Sequence, residues 1–326
     1  MSFKKLEPLL KKSGSSLSVE SFQERINIVF HDIEAAHYDA MHADMWGSLQ
    51  EQINLLVSDI VKSDKLIPNN MRLLDIGAGT GLSSQILLNS EIGEFITEVT
   101  LLDTSSKMLE IAESKAKTWG KDIKIVNGSV SDLKEKFDVI IICSVLHHIP
   151  DLDVFLSQMD DVLKSGGILI HLQDPNGDFL KDSLYLGRVA SLKESQLKSP
   201  KKRSFQLIPK SWKKYINRKI GRESYIDEIN YILLNEKTIR KRLTADEIWS
   251  VTDIHVESDL NKDRTGILFT YLKSQLSGYI LINRRSYGFF GLLKSDLSGA
   301  FLEEETKYIE NNELNGRNLS CLWIKK

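Results

Sequence analysis

The chain has 326 residues, a formal net charge of −2, 27% charged and 41% hydrophobic residues, and no apolar run near the roughly 18 residues that a membrane-spanning helix needs. These values describe an ordinary soluble protein and exclude a membrane-spanning one, and the length leaves material beyond one core of roughly 200 residues. Cys143 and Cys321 lie in apolar, strand-like segments and read as two buried thiols, neither a disulfide nor a metal site, which fits a reducing cytoplasm.

Residues 1–70 are mostly helical in pattern, with apolar positions three and four apart over 21–36 and 47–61. They read as a lid, and the N-terminus has basic residues but no apolar signal core. Trp46 has two readings, a surface on which substrate stacks or a core aromatic at helical spacing.

The segment Leu73-Leu74-Asp75-Ile76-Gly77-Ala78-Gly79-Thr80-Gly81 reads as a buried strand that runs into a glycine turn and then a helix. Three alternate glycines imply a sharp turn and close approach of a nucleotide-like ligand. The spacing is G-x-G-x-G, not the G-x-G-x-x-G of a dinucleotide site, and the Asp75 carboxylate would repel a pyrophosphate but suits a cationic amino acid. Val99-Thr100-Leu101-Leu102-Asp103 is a second buried strand ending in an acid, placed where ribose hydroxyls need an acceptor.

Further along, Phe137 to Cys143 is an apolar strand followed by Ser144-Val145-Leu146-His147-His148-Ile149-Pro150-Asp151, and Val162 to Ile170 holds a helix end, a Gly-Gly turn and another strand. From Leu73 to Asp174 strands alternate with helical stretches, which implies a parallel sheet covered on both faces, with ligands at the carboxyl ends of its strands. Gly278 to Asn283 and Leu319 to Ile324 supply two more strands.

Between them lies an insertion at 178–263. Residues 193–222 carry eleven basic residues and one acid, Glu194, so positive charge is segregated. Pro209 and Gly221 bound a basic amphipathic helix with Trp212, Ile216 and Ile220 on one face. It reads as an apolar face docked on the core, as a site for an anionic substrate or acidic carrier protein, or as a membrane-surface contact. Nucleic acid is the weakest of these readings. Thr244-Ala245-Asp246-Glu247 is a capping box that starts a helix.

The ordered set of glycine turn, acid-ended second strand, Leu-His-His turn and Gly-Gly turn resembles the class I S-adenosylmethionine-dependent methyltransferases, most closely the small-molecule and natural-product enzymes with a Leu-His-His turn. The resemblance implies an α/β, doubly wound, mostly parallel seven-stranded Rossmann-like sheet whose last two strands form an antiparallel pair. It divides the chain into an N-terminal helical lid (1–70), a cofactor-binding core (71–177), a basic helical cap insertion (178–263) and a C-terminal part of the core (264–326). It implies S-adenosyl-L-methionine as cofactor and S-adenosyl-L-homocysteine as product. The cofactor would be held by Asp75, Gly77, Ala78, Gly79 and Gly81 on its methionine part and Asp103 on its ribose. Thr104, Met108, Ser129, Val130 and Ser144 would complete the pocket, and Tyr38 of His37-Tyr38-Asp39-Ala40-Met41 would cover it. One departure is Ser129, which stands where the family often places an acid against the adenine, with Asp132 as a substitute.

The resemblance further implies in-line methyl transfer to a small-molecule acceptor at oxygen, with His147 as base and Asp174 as its orienter. A neutral imidazole suits that proton transfer. His148 packs the turn or faces the acceptor, alongside Trp46, Tyr287 and Arg284, with Phe289 and Phe290 as further apolar lining. His171 reads as a satisfied core histidine. No cluster is spaced for a metal. The alternatives are N- or C-methylation of an anionic, lipid-like or carrier-tethered substrate, and a protein that binds the cofactor without methylating.

Overall fold

In the computed structural model, residues 6–41, 45–61, 68–198, 222–258 and 260–326 are described. The basic helix predicted for 209–221 lies outside them. Helices α1 (Glu7–Ser13), α2 (Val19–Glu34), a short α3 (Tyr38–Met41) and α4 (Met45–Val61) precede the first strand. Ser18 starts α2 because its side chain accepts a hydrogen bond from the Ser21 amide.

The alternating part follows as β1 (Met71–Ile76), α5 (Leu82–Leu88), β2 (Ile96–Asp103), α6 (Ser106–Ala116), β3 (Asp122–Asn127), β4 (Phe137–Cys143), α7 (Leu152–Val162) and β5 (Leu163–Pro175). Then come α8 (Ser183–Lys198), α9 (Arg222–Asn235), α10 (Ala245–Thr252), α11 (Phe269–Gln275), β6 (Tyr279–Tyr287), α12 (Ala300–Glu310) and β7 (Asn318–Lys325). The strands join in one seven-stranded sheet of order β3-β2-β1-β4-β5-β7-β6. The first five run parallel, and β7 is antiparallel to both β5 and β6. This is the Rossmann-like sheet that the resemblance implies. Its central strands are nearly continuous apolar runs because both of their faces are covered.

Three apolar clusters divide the helices. On one face, Leu49, Ile53, Leu56 and Val57 of α4 pack with α5 and α6 against β1, β2 and β4. On the other, Phe155, Leu156 and Met159 of α7 pack with Leu272 of α11 and Leu276 just after it. The third cluster lies off the sheet, where Phe22, Ile26, Val29 and Phe30 of α2 meet Ile229, Leu233, Ile248 and Val251 of α9 and α10. So the early helices separate: α2 joins the inserted helices in a cap, while α4 belongs to the main core. The cap is tied further by the Arg25–Glu236 and Lys12–Glu247 ion pairs and by the capping box of α10, in which Thr244 and Glu247 exchange hydrogen bonds.

Both cysteines are free, as the sequence predicts. Among the described residues no helix is long and apolar enough to cross a membrane.

The turn after β6 rests on a buried carboxylate. Glu305 of α12 accepts from the amides of Gly288 (2.7 Å) and Phe289 (2.9 Å). Burial pushes its carboxyl up from 4.5 to about 7, against the pull of those amides. The folded state therefore keeps a proton that the unfolded chain loses near 4.5, so the linked stability is full below that value and disappears as pH rises through about 7. Relative to Glu305→Gln, the wild-type protein should be most stable near pH 5 and lose on the order of 2 kcal/mol of that margin by pH 8, as read by urea unfolding at the two pH values.

Candidate active site

A cavity of about 470 Å³ opens at the carboxyl ends of β1, β2 and β4, within the roughly 300–1,000 Å³ range of small-ligand sites. Its floor is the glycine turn. The amides of Gly77 and Ala78 both donate to Leu102 O, and the amide of Gly79 donates to Asp103 Oδ2 at 2.8 Å. Gly77, Gly79 and Gly81 all have positive φ. At Gly77 a Cβ would lie 2.4 Å from Val145 Cγ2, whereas at Gly79 it would meet no protein atom within 4 Å. The first glycine is required by packing, the second by the turn itself.

Asp103 is oriented before any ligand arrives, because Ser105 donates its amide to Oδ1 while Gly79 holds Oδ2. Burial raises its pKa, and the two amides oppose that shift. Tyr38, Gly77, Gly79, Thr104, Met108, Ser129, Val130 and Ser144 line the same cavity. Asp39, next to Tyr38, accepts a hydrogen bond from Thr80 (2.6 Å) and pairs with Lys115, so the element that follows α2 is pinned to the glycine turn.

Other sequence-predicted residues fall outside the cavity wall. Asp75 is fully buried, and its Oδ2 accepts from Ser83 Oγ, Ser84 Oγ and the Ser84 amide. It therefore caps α5 and is not a lining group, with burial pushing its carboxyl up to about 6. Ala78 and Gly81 shape the turn from beneath; Gly81 sits against Trp119 and Ala112. Asp132 is not among the lining residues, and its carboxylate accepts from the amide of Ser129 (2.8 Å), which is.

The other end of the cavity is built at β4 and β5. Ser144, just past β4, and Gln173, near the end of β5 where its register with β7 shifts, both have positive φ, +60° and +67°. Immediately beyond, Asp174 Oδ1 accepts from the His147 amide (3.1 Å) and meets His147 Nδ1 at 2.8 Å. Asp174 is fully buried and His147 nearly so. In the neutral imidazole this contact places the proton on Nδ1 and leaves Nε2, 3.8 Å from Asp253 Oδ1, with the lone pair. His148 Nδ1 lies 2.9 Å from Thr252 O, and burial followed by repulsion from His147 and His31 pushes its pKa well down.

Residues far away in the chain complete this end, and no local pattern marks them. Asp253 Oδ1 lies 3.2 Å from His148 Nδ1 and 3.8 Å from His147 Nε2. His31 of α2 stands edge-on to His148, and its pKa is raised: burial opposes the charge, but Glu34 outweighs it. Phe30, Met45, Phe155 and Trp249 supply apolar walls. Cys143 also lines the cavity, but burial and then the Asp75 and Asp174 charges push its thiol up, so it is not a nucleophile.

Several expectations need correction. Trp46 packs against the core cluster beneath Lys115 and is not on the cavity wall. Tyr287 is buried with its hydroxyl on Gln173 Oε1 (2.5 Å), because its position on β6 turns it into the sheet. Phe289 and Phe290 are buried in the same core cluster as Tyr287. Arg284 pairs with Asp178 at 2.9 Å and stacks on Phe269, away from the site. His147, His148 and Asp253 do form a group with metal-ligand spacing, which sequence spacing hides because Asp253 comes from another part of the chain. His171 is buried as predicted, but neither ring nitrogen has a hydrogen-bond partner among the described residues, and burial lowers its pKa to about 4.

Residues 74–171 match the model of a family described as "Methyltransferase domain". Sheet order, glycine turn and this match agree: the chain carries a class I, S-adenosylmethionine-dependent methyltransferase domain. It is 35% identical over 112 residues to the ubiquinone biosynthesis O-methyltransferase of Pelagibacter ubique, covering 34% of this chain and 44% of that one. It is 26% identical over 186 residues to the trichosetin synthetase PKS-NRPS1 of Gibberella fujikuroi, covering 55% of this chain and 5% of that one. The chain thus spans less than half the length of either curated relative. A solved S-adenosylmethionine-dependent methyltransferase from Clostridium acetobutylicum aligns at 22% identity over 46% of this chain and 58% of its own, with a TM-score of 0.33.

Replacing Asp103 with Ala should remove both the carboxylate that the resemblance assigns to the ribose and the clamp on the Gly79 amide. A loss of about tenfold or more in S-adenosylhomocysteine affinity is expected by calorimetric titration.

Proposed function

We propose that this protein transfers the methyl group of S-adenosylmethionine to an oxygen of a small-molecule acceptor, with His147 as base and Asp174 as the residue that holds it. The observation that carries this reading is the buried contact of His147 Nδ1 with Asp174 Oδ1 at 2.8 Å, at the wall of a cavity whose floor is the glycine turn. The residues fit the cofactor: Gly79 offers backbone that no side chain covers, Asp103 presents a carboxylate held by two amides, and Tyr38, Thr104, Met108, Ser129 and Val130 line the wall between them. When bound, S-adenosylmethionine supplies an electrophilic methyl on a cationic sulfur.

The chain's own contribution is alignment, water exclusion and removal of one proton. His147 Nε2 accepts the acceptor's hydroxyl proton, and the Asp174 carboxylate stabilises the resulting imidazolium through Nδ1–H. Asp174 also fixes the turn itself, since the same Oδ1 accepts from the His147 amide. The cap formed by α2, α9 and α10 carries Phe30 and Trp249 to the cavity, where they restrict access of water. Three of the described lining residues, Glu34, Asp103 and Asp253, are acids and none is Lys or Arg, which favours a neutral or cationic acceptor over an anionic one. The match to an O-methyltransferase supports oxygen as the receiving atom.

The test is a product screen on quinol, phenol and sugar hydroxyl acceptors, with S-adenosylhomocysteine formation as readout. His147→Ala should lower turnover about 10²- to 10⁴-fold while S-adenosylhomocysteine affinity stays within a factor of about two, and Asp174→Asn should follow it in turnover. Unchanged kcat in His147→Ala would remove the base assignment.

A further inference from the structure

The turn after β4 and the loop after α10 bring two imidazoles and a carboxylate to one point. One ligand atom from each of His147, His148 and Asp253 lies within 4.8 Å of the other two. We propose that these three residues form a binding site for a divalent transition-metal ion of the Zn²⁺ class, and that metal and base chemistry exclude one another at His147. The second part rests on the reading of His147 as the base.

The geometry supports the site in several independent ways. A tetrahedral ion with bonds of about 2.0–2.2 Å sets its ligand atoms roughly 3.3 Å apart. Asp253 Oδ1 stands 3.2 Å from His148 Nδ1 and 3.8 Å from His147 Nε2, and the Asp253 side chain is 39% exposed, with room to turn through the remaining distance. Metal-bound imidazoles usually give their other ring N–H to a carboxylate or a backbone carbonyl. His147 has that partner in Asp174 Oδ1 at its Nδ1, which leaves Nε2 as the lone pair that faces Asp253. His148 turns Nδ1 toward both Asp253 Oδ1 and Thr252 O. An ion between Nδ1 and Oδ1 displaces the ring proton that Thr252 O accepts, which breaks that hydrogen bond and moves the proton to Nε2 in the other neutral tautomer.

The two loops are also fixed to each other. The amide of His255 donates to His147 O, His255 Nε2 contacts Ile149 O at 2.8 Å, and Arg264 donates to Ser250 O and Asp253 O. The fold thus holds the ligand set from both sides. The surrounding field favours a cation, because three acids, Glu34, Asp103 and Asp253, line the cavity against His31 as the one basic group with a raised pKa, and no Lys or Arg does among the described residues. Two imidazoles and one carboxylate suit Zn²⁺, Co²⁺ or Fe²⁺ better than Mg²⁺ or Ca²⁺, which take oxygen ligands. Three protein ligands leave a fourth position, the arrangement of an open rather than a closed zinc site.

Bound at His147 Nε2, the ion takes the lone pair on which proton removal depends. Co²⁺ titration of the full chain tests the site directly, because four-coordinate Co²⁺ absorbs in the visible. Absorption that saturates at one ion per chain and is displaced by Zn²⁺ is expected. Asp253→Asn and His148→Ala should each weaken Co²⁺ binding about tenfold or more, with circular dichroism and S-adenosylhomocysteine affinity reporting whether each variant is folded. Asp253→Asn, at a partly exposed position, keeps the test valid if His148→Ala fails to fold. The absence of a Co²⁺ spectrum, or one indifferent to Asp253→Asn, overturns the site. A parallel Zn²⁺ titration of methyl transfer separates the two claims. Loss of turnover at one Zn²⁺ per chain, reversed by a chelator, supports both, whereas saturated binding with full turnover leaves the site standing and overturns the exclusion at His147 together with its role as base.

Discussion

The cap over the cavity depends on one apolar joint, the packing of α2 against α9 and α10. Phe22, Ile26 and Val29 are at most 1% exposed there, and they face Ile229, Leu233, Ile248 and Val251, which are fully buried. Full burial of side chains of this size contributes roughly 1.5–3 kcal/mol each, enough to hold a polar roof in place. That roof includes His31 and Glu34 from α2 and Asp253 from the loop after α10, all of which line the cavity. A buried Asn230 sharpens the joint, since its side chain bonds to the amide and carbonyl of Leu243 and to Ile226 O.

The sheet supplies the opposite wall by a different physical device. Parallel strands bring their carboxyl ends to one edge, so residues just past β1, β2, β4 and β5 converge whatever their separation in the chain. At β4 and β5 the convergence is fixed by the carboxylate of Asp174, which reaches both the backbone and the ring of His147. Three neighbouring groups are held neutral by burial. Burial drives the His148 pKa down and the Cys143 and Tyr38 pKa values up, which leaves the reactive chemistry to a small number of residues.

Much of this was legible in the residues themselves. The continuous apolar runs announce buried parallel strands, and the G-x-G-x-G turn, Asp103 and the Leu-His-His turn each sit at a strand end that the fold class places at the cavity. The antiparallel close of β6 and β7 follows the same pattern. Asp75 misleads because an acid before a glycine turn serves equally to cap the following helix through Ser83 and Ser84. Tyr287 and Arg284 mislead because a side chain's direction on β6 depends on the register with β7, which sets Arg284 opposite Cys321 and Tyr287 opposite Asn318. Asp253 and His31 are invisible to any local pattern, since only the joint between α2 and the inserted helices sets them beside His148.

The same joint has a consequence for how the protein comes into being. The residues of α2 precede their partners in α9 and α10, which lie on the far side of all five parallel strands in chain order. Contacts of such long sequence separation form late, because the loop they close is large. Until then α2 presents Phe22, Ile26 and Phe30 to water, a sticky apolar helix tethered to a nascent sheet. The cap therefore closes only after α9 and α10 have been made and a loop that spans the whole parallel sheet has been drawn together.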